Sequence, residues 1–309
     1  MIINTGQRTD IPAFYSDWFA NRLRDGYVLV RNPYNTSRIT RYRLTPDVVD
    51  VIGFCTKNPS PMFRYMDLLS PFRQFWYVTI TPYRRNIEPN LKPKSQILED
   101  FRTLSKKVGI DSIGWRYDPI IVNDEWPVER HIEAYRYMAE YLSGYTRISV
   151  ISFIDLYEKT RRNYPEVREV SREDRLLLGK EMASIASRCG MTLKPCAEGD
   201  TLSAYGADCS GCMTVDMYEK AAGQRLRVPR YSPSRKSCAC YLSADIGAYN
   251  TCGHLCRYCY ANYDEKTVKR NMALHDPLSP LLIGHVLPGD SIYEAAQESW
   301  RDDQLSLDI

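Results

Sequence analysis

The 309-residue sequence predicts an α/β fold: a partial or complete (β/α) barrel of TIM type over residues 1–199, followed by a cysteine-rich cap and tail over 200–309. Three observations predict it. Up to residue 196, short apolar runs alternate with stretches of helical periodicity, and strand–helix alternation gives a parallel sheet. Seven such units recur at intervals of roughly 25 to 40 residues, which suits a barrel better than a doubly wound sheet. Most of the runs end in polar or charged residues, and in a barrel all strand C-terminal ends converge on one mouth.

The expected strands, in order, are Ile2–Ile3, Val28–Val30, Val48–Phe54, Phe75–Ile80, Ile113–Tyr117, Ile148–Phe153 and Thr192–Lys194. Helix boundaries are marked between them. Pro12 sits just inside a start after Thr9-Asp10, and Ser171 with Asp174 three residues on opens "SREDRLLL". Ile97, Phe101, Leu104 and Val108 fall at helical spacing before Gly109, as do Leu178, Met182, Ile185 and Cys189 before Gly190. Cys189 on that stripe reads as a small buried hydrophobe. Near the C-terminus, "SIYEAAQESW" reads as a short helix, and "RVPRYSPSRKSC" as a surface connection. The strand ends supply the candidate chemistry. Asp10, Lys57, Arg116, Asp118 and Glu198 are the candidate catalytic groups; Arg8 and Asn58 are candidates for holding a cofactor, and Arg31, Cys55 and Asp155 occupy similar places. Both charge signs at one mouth suit a polar substrate.

With 41 basic and 38 acidic residues the net charge is +3, which gives no global field toward nucleic acid or an anionic membrane. A local basic groove remains open to "TPYRRN" and "KTRRNY". The sequence "MIINTGQRTD" is not a secretory signal, and no apolar run is long enough to span a membrane. In a chain that reads as cytoplasmic, ten cysteines point to metal or redox work in place of disulfides, because the cytosol keeps thiols reduced.

Their distribution sharpens that reading, because seven of the ten lie between Cys209 and Cys259. Cys252, Cys256 and Cys259 follow C-x3-C-x2-C, with Tyr258 before the third cysteine and His254 inside the loop. Three thiolates on one tight loop can hold three irons of a 4Fe–4S cube, leaving the fourth iron open to another ligand. That is the arrangement needed to chelate S-adenosyl-L-methionine and split its sulfonium to a 5′-deoxyadenosyl radical. Zinc prefers C-x2-C pairs supplying four ligands. Tyr258 is expected against the adenine, and His254 is a candidate hydrogen-bond donor to the cluster. A further set of Cys196, Cys209, Cys212, Cys238 and Cys240 offers five candidates for the four places of a second site, either a second cluster or a zinc knot.

The string "CGHLCRYCYAN" resembles the cluster loop of radical S-adenosylmethionine enzymes. Together with "RTDIPAFYSDWFANRLRDGYVLVRNP", "TKNPSPM", "CACYLSADIGAYNTC" and "SWRDDQL", it is similar to a bacterial family known as domain of unknown function 1848. The resemblance covers nearly the whole chain and implies a fold and a cofactor, without a substrate. It also implies Cys196, Cys212, Cys238 and Cys240 as the second ligand set. One departure from the radical-enzyme pattern is the late position of the loop, after the last strand instead of the first, which leaves the residues that bind S-adenosylmethionine unassigned. The expectation is therefore a cytoplasmic, oxygen-sensitive radical enzyme acting on a polar small molecule, served by an electron donor such as flavodoxin or ferredoxin. Its rivals are a nucleic-acid lesion repair enzyme using the same radical, and a zinc or iron–sulfur binding protein without radical activity.

Overall fold

In the computed structural model, which describes residues 1–230 and 238–302, the alternating apolar runs become a parallel sheet. The strands are β1 Ile2–Asn4, β2 Tyr27–Arg31, β3 Arg38–Arg43, β4 Val51–Thr56, β5 Gln74–Thr79, β6 Ile113–Ile120, β7 Ile148–Phe153, β8 Thr192–Pro195, β9 Ala244–Asp245 and β10 Ser291–Glu294. The α-helices are α1 Ile11–Phe14, α2 Ser16–Asp25, α3 Met66–Leu69, α4 Lys94–Val108, α5 Val128–Leu142, α6 Glu158–Asn163, α7 Arg172–Arg188, α8 Val215–Ala222 and α9 Glu265–Ala273.

Seven strands pair in the order β8-β7-β6-β5-β4-β1-β9, all parallel. From β1 through β4 to β8 the chain steps steadily to one side, and β9 returns to flank β1. Central strands such as β4 and β5 are buried on both faces, as a helix-covered parallel sheet requires. Large rings fill the layer between sheet and helices: Phe54 stacks on Trp76 with centroids 3.8 Å apart, and Trp115 on Tyr135 at 4.7 Å.

The helix signals act as their chemistry dictates. Asp10 caps α1 by accepting from the Ala13 amide at 3.0 Å, with Pro12 in the first turn, and Ser171 accepts from the Asp174 amide at the start of α7. Ile97, Phe101 and Leu104 bury the inner stripe of α4, and Leu178, Met182 and Ile185 that of α7.

Three expectations are corrected. Val28–Val30 is a strand, but β2 pairs antiparallel with β3 in a separate three-stranded sheet, so Arg31 bonds to Asp290 away from the main sheet's strand ends. The seventh parallel strand is β9, only two residues long and therefore without readable periodicity. The "SIYEAAQESW" stretch is not a helix. Its first residues form β10, which pairs parallel with β3, because the exposed edge of that hairpin supplies a ready row of backbone partners. In "SWRDDQL", the Ser299 hydroxyl and the Trp300 amide bond to the buried Asp50 carboxylate at 2.6 and 2.8 Å; its residues from 303 on, and 231–237 of the Pro- and Arg-rich connection, lie outside the described residues. Among the described residues, no helix is long and apolar enough to cross a membrane.

Candidate functional site

The loop 250–262 lies over the C-terminal ends of the parallel strands. The His254 imidazole Nε2 is 2.9 Å from Asp10 Oδ2, which follows β1; the Arg257 amide donates to Ile87 O at 3.0 Å, after β5; and Thr160 Oγ1, after β7, donates to Tyr258 O at 3.3 Å. The Asn90 amide group and the Tyr15 hydroxyl hold the carbonyls of Gly253 and Thr251 at 2.8 and 2.6 Å. The backbone is bent to fit, with Asn250 and Leu255 left-handed at φ 59° and 54°. A Cβ on Gly253 would stand 2.8 Å from the Phe14 ring, so glycine lets the loop pass.

Asp10 is the post to which this lid is tied. Besides capping α1 and meeting His254, its carboxylate accepts from Thr56 Oγ1 at 2.6 Å and from the Lys57 amide at 2.7 Å. A carboxylate with four donors is a positioning group, joining β1, β4 and the cysteine loop. Asn58 is likewise occupied locally, its side chain accepting from Ser60 Oγ at 2.9 Å. Arg8 pairs with Asp245 at 2.9 Å and so links the ends of β1 and β9.

Beside the loop is a charge network that nothing in the sequence singled out. Glu88 is fully buried, and its carboxylate receives Lys57 Nζ at 2.9 Å, Thr81 Oγ1 at 2.7 Å, Lys94 Nζ and the Tyr258 hydroxyl. Burial by itself would raise the Glu88 carboxyl; Lys57 and Lys94 outweigh it and hold the group down at about 2. The two ammoniums differ. Burial pulls Lys94 below its ordinary value, whereas at Lys57 the Glu88 carboxylate outweighs burial and raises it. Lys57 is thus the firmer partner, and its Nζ also lies 5.6 Å from the centre of the Tyr258 ring.

The thiols of Cys252, Cys256 and Cys259 sit close enough to feel one another's charge. Burial drives all three up, Cys256 to about 12 despite Lys57, so without metal they are neutral thiols. Two buried polar atoms of the same loop, His254 Nδ1 and Asn262 Oδ1, have no hydrogen-bond partner. Three thiols and a neighbouring ammonium form a donor set suited to an anionic metal–sulfur group.

The second cysteine set draws on residues beside both edge strands of the sheet, β8 and β9. Cys212 Sγ is 3.2 Å from Cys196 Sγ, just past β8, and 3.2 Å from Cys240 Sγ, just before β9. A cavity of about 260 Å³ adjoins them, lined also by Cys209, Cys238 and Glu198. Hydrogen bonding to Cys196 and Cys240 holds the Cys212 thiol well below its usual value, and Arg116 Nη1 at 3.5 Å acts in the same direction. Arg116 is anchored by Asp118 at 3.0 Å, and Asp118 in turn accepts from the Ser152 hydroxyl. Glu198 accepts from the Phe153 amide at 2.8 Å and from Arg175 at 2.9 Å; burial raises its carboxyl. Lys194 bonds to Asp208, Ser210 and Gly211 and thereby sets the turn leading into Cys212.

The sequence-derived residues therefore fall into two groups. Asp10, Lys57, His254 and Tyr258 surround the 252–259 loop, while Arg116, Asp118 and Glu198 border the second thiol cluster. Cys55, pushed up to about 12 by burial, lies within electrostatic reach of Arg116 and Cys212 as well as of Asp10 and Asp245, between the two groups. Glu88, Thr81 and Tyr77 were missed. Glu88 follows a strand like many other polar residues, and only its convergence with two lysines distinguishes it. No group of three or more His, Cys, Asp or Glu side chains among the described residues is already laid out to hold a metal ion. Cys196 and Cys240 instead pack within hydrogen-bonding distance of Cys212, and binding a metal there must respace them.

Two comparisons place the chain. The model of a family described as "Domain of unknown function (DUF1848)" matches residues 2–261. No curated protein matches the chain.

Proposed function

The chain belongs to that family of unknown function, and from this premise we propose that it is a radical S-adenosylmethionine enzyme whose 4Fe–4S cluster is held by Cys252, Cys256 and Cys259. The observation that carries the reading is the placement of a three-thiol loop, with no fourth cysteine, over the C-terminal strand ends. That face is where α/β folds bind their ligands. A cluster with one open iron supplies an electron to bound S-adenosylmethionine and so a 5′-deoxyadenosyl radical. We read the sheet as a partial barrel, a view supported by the one-directional strand order and by the meeting of thiols from beside both of its edges.

The chain's own residues do the rest. Lys57, charged and beside Cys256, offsets the negative charge of the thiolates. Glu88 fixes that ammonium and orients Tyr258 through its hydroxyl, leaving the ring's apolar surface for the adenine. Asp10 fixes His254, and with it the loop. The Lys57 and Arg116 cations and the Asp118 and Glu198 carboxylates line up a polar substrate, and an electron donor of the flavodoxin or ferredoxin class completes the cycle.

The test is anaerobic purification with iron and sulfide analysis, then reduction in the presence of S-adenosylmethionine. About four irons per chain at the loop and formation of 5′-deoxyadenosine are expected, both lost in Cys256→Ala. Iron near zero and no 5′-deoxyadenosine would refute the proposal.

A further inference from the structure

We propose that Cys196, Cys212, Cys238 and Cys240 hold a single thiophilic metal ion of the zinc class, which closes the sheet by tying the end of β8 to the approach to β9. This inference is independent of the radical reading of the 252–259 loop.

The argument is one of spacing. In a cube cluster each cysteine binds a different iron, so the sulfurs stand well apart around an inorganic core. Around one zinc, bonds of about 2.3 Å arranged tetrahedrally bring the sulfurs within about 3.8 Å of each other. Cys196 and Cys240 each lie 3.2 Å from Cys212, so three sulfurs are already drawn to one point and need to move outward by only about half an ångström once their protons leave. By contrast, among the described residues no hydrogen bond joins the thiols of Cys252, Cys256 and Cys259, and Cys259 Sγ instead accepts from the Ala261 amide at 3.3 Å.

The supports of the second site are rigid. The Tyr77 hydroxyl donates to the Cys212 carbonyl, Lys194 braces residues 208–211, and Gly211, at φ +117°, has no Cβ to strike the Ala239 methyl 3.0 Å away. The fourth ligand must come from the cavity wall, where Cys238 and Cys209 both lie. Cys238 is two residues from Cys240 on the same strand of chain. Cys209 turns toward the Ala207 carbonyl, 4.0 Å away. Four thiolates give the ion a double negative charge, which Arg116 at 3.5 Å from Cys212 partly offsets. Four protein ligands then leave the ion no open position, so the ion is structural in type and links elements more than 40 residues apart.

Metal analysis of the anaerobically purified full chain tests this directly. About one zinc per chain is expected in addition to any iron, resistant to mild chelation. Cys212→Ser and Cys238→Ser lose the zinc and keep the iron and sulfide; Cys209→Ser keeps both; Cys256→Ala keeps the zinc and loses the iron. Growth with cobalt in place of zinc should give a sulfur-to-metal charge-transfer band with tetrahedral d–d absorption, absent in Cys238→Ser. About eight irons and eight sulfides with no zinc would overturn the proposal in favour of a second cluster. So would a zinc content unchanged in Cys238→Ser, or a disulfide between two of these cysteines in the oxygen-free protein. Should Cys212→Ser fail to fold, the wild-type stoichiometry and the Cys238→Ser cobalt spectrum still decide the matter.

Discussion

Replacing Glu88 with Gln keeps the shape of the side chain and removes the buried negative charge that two half-buried ammoniums share. Lys57 at 2.9 Å and Lys94 then lose the carboxylate that both bond to, and the Tyr258 and Thr81 hydroxyls lose their anionic acceptor. The structure gives the magnitude in two ways. Holding a fully buried carboxyl at about 2 against its ordinary 4.5 corresponds to about 3 kcal/mol in favour of the folded state. Breaking a buried pair from one side typically costs about 3–5 kcal/mol. The two agree on a loss near 3 kcal/mol for Glu88→Gln, read by urea unfolding near neutral pH. The pH dependence carries a second signature. A carboxyl depressed by folding stabilises above its unfolded value of 4.5, and that contribution is lost as pH falls toward about 2. Wild-type stability should therefore decline steeply over that window, and the Gln variant less so by the same amount. A cost below about 1 kcal/mol, or identical acid limbs in the two proteins, would refute the reasoning.

Three further outcomes are expected. Asp10→Asn weakens the α1 cap and the tie to His254, destabilising by about 1–3 kcal/mol and lowering iron retention after gel filtration, while α4 and α7 are unaffected by amide exchange. Gly6→Ala places a methyl 2.3 Å from the Cys55 carbonyl oxygen, so a cost of about 1–3 kcal/mol is expected in thermal unfolding, and a neutral result would contradict the close packing of β1 on β4 at their ends. His131 is fully buried between Tyr117 and the Ile121 carbonyl, and burial lowers it from 6.5 to about 4; wild-type stability should fall by about 3 kcal/mol as pH drops through that interval, a slope absent in His131→Gln.

Much of this could be read from the chain. Apolar runs with capped helical stretches between them report a sheet with both faces covered, because burying the backbone leaves few other arrangements, and six of the seven expected strands lie in it. The cysteine spacing raises the expectation of metal chemistry through the stereochemistry of a short loop, which is local. What the sequence could not fix was set by contacts between distant residues. Val28–Val30 has the pattern of a sheet strand, yet its partner is β3, a choice made by hydrogen bonding across a hairpin; β10 is a strand only because β3 offers it an edge. A two-residue strand such as β9 has no period to detect. Glu88 looks like any loop glutamate until two lysines and a tyrosine close on it. By spacing alone the five thiols of the second set cannot be told apart, whereas packing brings three of them into 3.2 Å contacts. Periodicity and spacing act over a few residues and are written in the chain; electrostatics and coordination act over a few ångströms, and only the folded chain decides which residues those few ångströms contain.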